Sequence, residues 1–183
     1  MKRPENWEEI KMEHKSECNG NPSVYCGTYA KYNEGSLYGM WIDLTTFYDY
    51  DEFIDFCKML HEDEHDPELM FQDYEGFPLE WYCESCMGEE LFDKIVEYGN
   101  LNDTEQDMVN AYIEHVCGSE DIDTIKGKYK GFYATKEDFA WETLEMCYPD
   151  LPDFAKNYFN IEAFARDLFF DYDFADGYVF SNY

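Results

Sequence analysis

Two runs of sequence and the turn between them decide the fold class: Val24-Tyr25-Cys26-Gly27-Thr28-Tyr29-Ala30, then Asn33-Glu34-Gly35, then Leu37-Tyr38-Gly39-Met40-Trp41-Ile42-Asp43-Leu44. Both runs alternate and are rich in strand formers, and the residues between them are turn chemistry, so they predict a β-hairpin. The period then changes. Asp49 with Glu52 resembles a capping box, after which Phe53, Phe56, Cys57 and Leu60 fall at i, i+3, i+4 and i+7, the stripe of an amphipathic helix. Leu69 to Gln72 is a short strand candidate after Pro67, and Gly76 and Pro78 punctuate the end of this unit near residue 81. A hairpin, a helix and a strand in this order give a small α+β domain over residues 22–81.

Working outward, residues 82–122 read as helical. Leu91, Phe92, Ile95 and Val96 share a stripe closed by Gly99; Asn102 with Glu105 then caps a second helix whose apolar face is Met108, Val109, Tyr112, Ile113 and Val116, ending at Gly118. Residues 123–183 return to α+β style. Lys128 to Ala134 reads as a strand, Thr135 with Asp138 caps a helix bearing Phe139, Ala140, Leu144 and Cys147, and Asn160 caps another with Ile161, Phe164, Ala165, Leu168 and Phe169 on its stripe. Gly177-Tyr178-Val179-Phe180 is strand-like. Residues 1–21 are polar, mixed in charge and end in Asn19-Gly20-Asn21-Pro22, an N-terminal extension, partly helical or disordered, that places the start of the ordered fold at Ser23.

The 183 residues include 42 Asp and Glu against 13 Lys and Arg, a formal net charge of −29, with a mean hydropathy of −0.65. Such charge usually marks disorder, but 17 Tyr and 15 Phe supply enough apolar area for a core. Direct nucleic-acid binding is excluded as a function class, because it relies on Lys and Arg displacing counterions from phosphate. A basic partner is favoured instead. No run approaches the ~18 apolar residues of a spanning helix, and the start Met1-Lys2-Arg3-Pro4-Glu5 leads into charge, so the sequence predicts no membrane segment and a cytosolic protein. Seven cysteines, an odd number, suit free thiols in a reducing compartment.

The charge is concentrated. Residues 49–75 carry 11 acids against Lys58 alone, and residues 84–123 carry 12 against Lys94 alone. Asp51, Glu52, Asp55 and Glu62 lie away from the first helical stripe, and Asp93, Glu97, Glu105 and Glu114 lie away from theirs. With Asp63, Glu64, Asp66, Asp73, Glu75, Glu89, Glu90, Asp103, Asp107, Glu120, Asp121 and Asp123 they form a candidate acidic surface. An ordinary solvated helix face mixes Lys with Glu at i,i+4, and that pairing is nearly absent here. B-form DNA carries about one charge per 1.7 Å of axis, so carboxylates held at comparable density can occupy a basic DNA-binding groove. Two associated chains would carry about 58 net charges, the phosphates of roughly 29 base pairs.

Three segments carry a resemblance. Val24 to Gly35, Asp66-Pro67-Glu68-Leu69-Met70-Phe71-Gln72-Asp73-Tyr74-Glu75-Gly76 and Ile161-Glu162-Ala163-Phe164-Ala165-Arg166-Asp167-Leu168-Phe169 resemble the ArdA antirestriction proteins in order and spacing, over residues 22–183. The resemblance implies an elongated three-domain chain that dimerises through its C-terminal domain into a DNA mimic. It also implies a partner, the type I restriction-modification enzyme, blocked without catalysis during entry of mobile DNA. The family's antirestriction motif would fall at about Glu137 to Cys147, making Phe139, Ala140, Trp141 and Leu144 candidates for the dimer interface, against core packing as the plainer role of Phe139 and Leu144. The alternative is an acidic interaction module for another basic DNA-binding or chaperone partner.

Other chemistries find little support. Cys83-Glu84-Ser85-Cys86 has CxxC spacing, which can bind zinc or cycle as a redox pair, but a second ligand pair is missing, and His61, His65 and Cys57 complete a site only if folding gathers them. His61 and His65 lack the H-E-x-x-H context, and Asp171 to Gly177 fails as a calcium loop, with Ala175 and Asn182 at ligand positions. No carboxylate pair stands out for hydrolysis, and phosphate-binding glycine loops and nucleophile elbows are absent. No metal or cofactor is therefore expected. Lys126, Lys128, Lys130 and Lys136 form the one basic island, read as salt-bridging to an acidic helix.

Overall fold

The computed structural model describes residues 3–183, which gather into two units parting between Asn102 and Asp103. In the first, helix α1 (Trp7–Glu13) precedes strand β1 (Ser23–Thr28), a short helix α2 (Tyr29–Asn33) and strand β2 (Met40–Asp43). Helix α3 (Tyr50–Leu60), strand β3 (Leu69–Glu75) and helix α4 (Glu89–Gly99) follow. The sheet is antiparallel in the order β2-β1-β3, with Val24 opposite Ile42 and Gly27 opposite Met70. β1 and β2 pair as the alternation predicts, but no tight turn joins them. The Thr28 side chain accepts from the Lys31 amide and caps α2, and Gly35 turns the chain at φ 79°. Alternation alone does not distinguish a strand that continues through Tyr29 from one that ends in a cap.

Helix α3 starts where the capping pattern puts it, with the Asp49 carboxylate accepting from the Glu52 amide; the Glu52 carboxylate accepts from Tyr48 N. Its stripe is buried: Phe53 stacks on Phe71 at 5.7 Å and on Phe92 at 5.3 Å. Phe92 thereby ties α4 to this core. Segment 82–122, read from sequence as one helical unit, is shared, with α4 in the first unit and the two helices that follow it in the second.

The extension is packed, contrary to an ordered fold beginning at Ser23. Trp7 is 6% exposed with its ring 5.1 Å from Phe56, and His14 stacks on Phe47 at 4.0 Å. Arg3 donates from Nε to Met59 O and from Nη2 to Leu60 O, satisfying two carbonyls at the C-terminal end of α3, where cationic groups are favoured. Trp7, Ile10 and His14 are spaced i, i+3, i+7, so the signal was present in a segment whose polarity concealed it.

The second unit contains α5 (Asp103–His115), α6 (Ile122–Lys128), β4 (Tyr129–Phe132), α7 (Lys136–Cys147), α8 (Asp153–Lys156), α9 (Ile161–Leu168), β5 (Tyr172–Ala175) and β6 (Tyr178–Ser181). Its antiparallel sheet has the order β4-β6-β5. Asp176 and Gly177, at φ 48° and 91°, close the β5–β6 hairpin, the two-residue Asp-Gly turn that matches strand twist. The residues weighed against a calcium loop are this strand and its turn. Helix α7 has the full Thr135–Asp138 capping box, and Asn160 caps α9. Tyr112 of α5 packs edge-on to Phe180 at 4.9 Å, and Ile122 and Ile125 of α6 are fully buried. Over the described residues the chain is thus α+β, with two small antiparallel sheets. Among the described residues no helix is long and apolar enough to cross a membrane.

Candidate functional site

Burial of one stripe fixes where the acids go. With Phe53, Phe56, Cys57 and Leu60 inside, α3 leaves Asp51 and Glu52 in solvent, and Glu62, Asp63 and Asp66 are exposed on the turn beyond it. Asp73 is exposed on β3; on α4, Glu89, Glu90, Asp93 and Glu97 are exposed opposite Phe92, Ile95 and Tyr98. In the second unit Asp103, Asp107 and Glu114 of α5 and Asp121 and Asp123 at the start of α6 are exposed. Fifteen of the twenty candidate acids are therefore exposed, and the other five, Asp55, Glu64, Glu75, Glu105 and Glu120, are half-buried.

Three of the five half-buried acids hold the units' own cations. Glu64 accepts from Lys31 Nζ at 2.7 Å and Thr28 Oγ1 at 2.6 Å, while Lys31 also reaches Asp63 at 3.0 Å and His61 Nδ1 at 3.2 Å. Burial opposes ionisation of Glu64, but the bonds from Lys31 and Thr28 outweigh it and hold the carboxyl below its ordinary value; the Lys31 bond does the same for Asp63. In the second unit Lys128 donates to Glu120 at 2.7 Å and to the Tyr112 hydroxyl at 3.2 Å, and that hydroxyl donates to Glu120 at 2.8 Å. The Lys128 bond, then that of Tyr112, lowers the Glu120 carboxyl, and Glu120 raises Lys128. Lys126 pairs with Glu105 at 3.3 Å, Lys94 lies 4.4 Å over the Trp81 ring, and Lys136 lies 4.9 Å over Phe169. These cations are thus engaged within their own unit, leaving a surface dominated by carboxylates.

Of the four candidate interface residues, Phe139, Ala140 and Leu144 are buried in their own unit, Phe139 against Tyr133, Tyr172 and Phe169. Trp141 is half-buried beside Phe159 at 6.2 Å. Exposed apolar surface lies further along, at Met146, Tyr148, Phe154, Tyr158 and Phe170, each at least 61% exposed. Helical periodicity missed Tyr148, Phe154 and Tyr158 because α8 spans 4 residues and the segments around it are irregular.

Of the residues weighed as a metal site, His61 and Cys57 are buried in the first unit, as is Cys26, which is not among them. His61 is fully buried, as are Cys26 and Cys57, while His65 is exposed. Hydrogen bonding from Cys57, helped by His61, pulls the Cys26 thiol down to about 7 against the cost of burial, and burial pushes Cys57 up. Among the described residues no group of three metal-ligating side chains is placed to hold an ion. Cys83 and Cys86 are joined as a disulfide, against the expectation of free thiols; their Cα atoms are 5.5 Å apart, within the range a disulfide spans. Cys18, Cys26, Cys57, Cys117 and Cys147 are free.

The chain matches the family described as Antirestriction protein (ArdA) over residues 24–180. No curated protein matches it.

Proposed function

This chain belongs to the ArdA family of antirestriction proteins, and on that premise we propose that it inhibits type I restriction-modification enzymes as an acidic mimic of B-form DNA. It would occupy the DNA groove of the methyltransferase core in the cytoplasm, without catalysis and without touching nucleic acid itself. The observation that carries this reading is the exposure of fifteen of the twenty candidate acids, five of them at four-residue spacing on α4 and α5. Glu89, Asp93 and Glu97 recur every four residues along α4, a rise of about 6 Å per step, as do Asp103 and Asp107 on α5. One DNA strand presents a phosphate about every 3.4 Å of axis, so a single stripe supplies roughly half that density and neighbouring acids add to it. Like charges at i,i+4 destabilise a helix by roughly 0.2–0.5 kcal/mol per pair, a cost to the fold that a basic partner offsets on binding.

An elongated arrangement and a homodimer are part of the proposal. Met146, Tyr148, Phe154, Tyr158 and Phe170 offer apolar area for a second copy beside α7, the helix on which the family motif falls, with Trp141 at its margin. The test is to mix the purified protein with a type I methyltransferase core and size the product. A complex of defined stoichiometry that no longer accepts duplex supports the reading. Failure to associate, with retention by another basic protein, would favour an acidic interaction module instead.

A further inference from the structure

We propose that Cys83 and Cys86 form a thiol–disulfide exchange site, open to small cellular thiols such as glutathione, that controls how firmly the lead-in to α4 is held on β3. The inference rests on the mimic reading only in its consequence for binding; the exchange itself stands on the chemistry of the segment. The pair brackets Glu84 and Ser85, and Cys86 is exposed while Cys83 is half-buried. The bracketed residues bear contacts. Phe71 N donates to Glu84 O at 2.8 Å, extending the hydrogen bonding of β3 beyond its own sheet, and the Tyr29 hydroxyl donates to Glu84 Oε1 at 2.8 Å. On either side, the Tyr82 hydroxyl donates to Phe71 O at 2.6 Å and the Tyr50 hydroxyl to Met87 O at 2.7 Å. The next residue, Gly88, is the N-cap of α4, whose first turn presents Glu89 and Glu90.

An incoming thiolate reaches the exposed sulfur first. It bonds to Cys86 Sγ, the Cys83–Cys86 bond breaks, and its electron pair leaves on Cys83 as thiolate. A second thiolate attacks the external sulfur of the mixed disulfide, releases Cys86 and departs as the oxidised small thiol. The two cysteine thiolates take two protons from water, so the protein gains two electrons and two protons. Opening the ring frees the backbone of Glu84 and Ser85, and the bond accepted by Glu84 O then has to hold against a more mobile segment.

The test uses the full chain equilibrated in glutathione buffers of graded ratio, read by thiol alkylation and by hydrogen exchange. The expected result is one reversible two-electron transition at Cys83 and Cys86, with amide exchange at Phe71 about tenfold faster in the reduced form. The Cys83→Ser/Cys86→Ser variant should match the reduced form at every ratio. A pair that stays closed or open at all ratios, or a transition that leaves Phe71 exchange unchanged, overturns the proposal. Displacement of a duplex from a methyltransferase core, expected to be several-fold weaker for the reduced form, is a separate arm. Equal displacement by both forms overturns the link to binding, whereas displacement by neither fails the mimic reading and leaves the exchange site decided by the first arm.

Discussion

Single residues divide into those that hold the fold and those exposed to solvent. His14 belongs to the first group: burial lowers its pKa from 6.5 against the opposing pull of Glu13, Glu52 and Asp43, and its Nδ1 lies 2.8 Å from Thr46 Oγ1. Because the folded value lies below the unfolded one, the stability His14 contributes is present above pH 6.5 and is lost as pH falls through the folded value. Urea midpoints should fall from about pH 7.5 to about pH 5.5 more steeply in the wild type than in His14→Gln; parallel slopes would contradict this. Glu120→Gln removes the anionic partner that Lys128 and Tyr112 share and should cost about 1–3 kcal/mol in urea unfolding. Asp93→Asn should stay within about 0.5 kcal/mol and barely change inhibition. Sequence ranks Glu64, Asp93 and Glu120 alike, by charge alone. The partners that set Glu64 apart from Asp93 are brought by the fold from 30 or more residues away, as Lys31 is to Asp63 and Glu64.

At the scale of elements, periodic signals were legible and irregular ones were not. Helix α3, α7 and α9 start at the caps the sequence offered, because a side-chain oxygen beside an apolar stripe is a local signal. The Asp176–Gly177 hairpin was equally local, yet its carboxylates invited comparison with a calcium loop, and β5 went unread. α1 lay in a polar extension whose few apolar residues pack on α3. Trp7→Ala should therefore destabilise the first unit by about 3–5 kcal/mol in urea unfolding, and a near-neutral result would mean the extension is not part of that core. For α4, replacing Glu89, Asp93 and Glu97 together by Gln, Asn and Gln should stabilise the helix by several tenths of a kcal/mol while weakening inhibition and flattening its salt dependence.

For the molecule as a whole, the proposed function rests on the distribution of charge rather than on any one group. The net charge of −29 was legible from composition, and family membership over residues 24–180 agrees with the resemblance its segments carried. The apolar surface around α8 was not legible, because exposure of Phe154 and Tyr158 depends on how a short helix sits rather than on the residues themselves. The most direct test of the central claim is competition, in which the purified protein is titrated into a type I methyltransferase bound to a fluorescent target duplex at two salt concentrations. Stoichiometric release of the duplex, weaker at the higher salt, is the expected result. Retention of the duplex at both salts would contradict groove occupancy by this acidic surface.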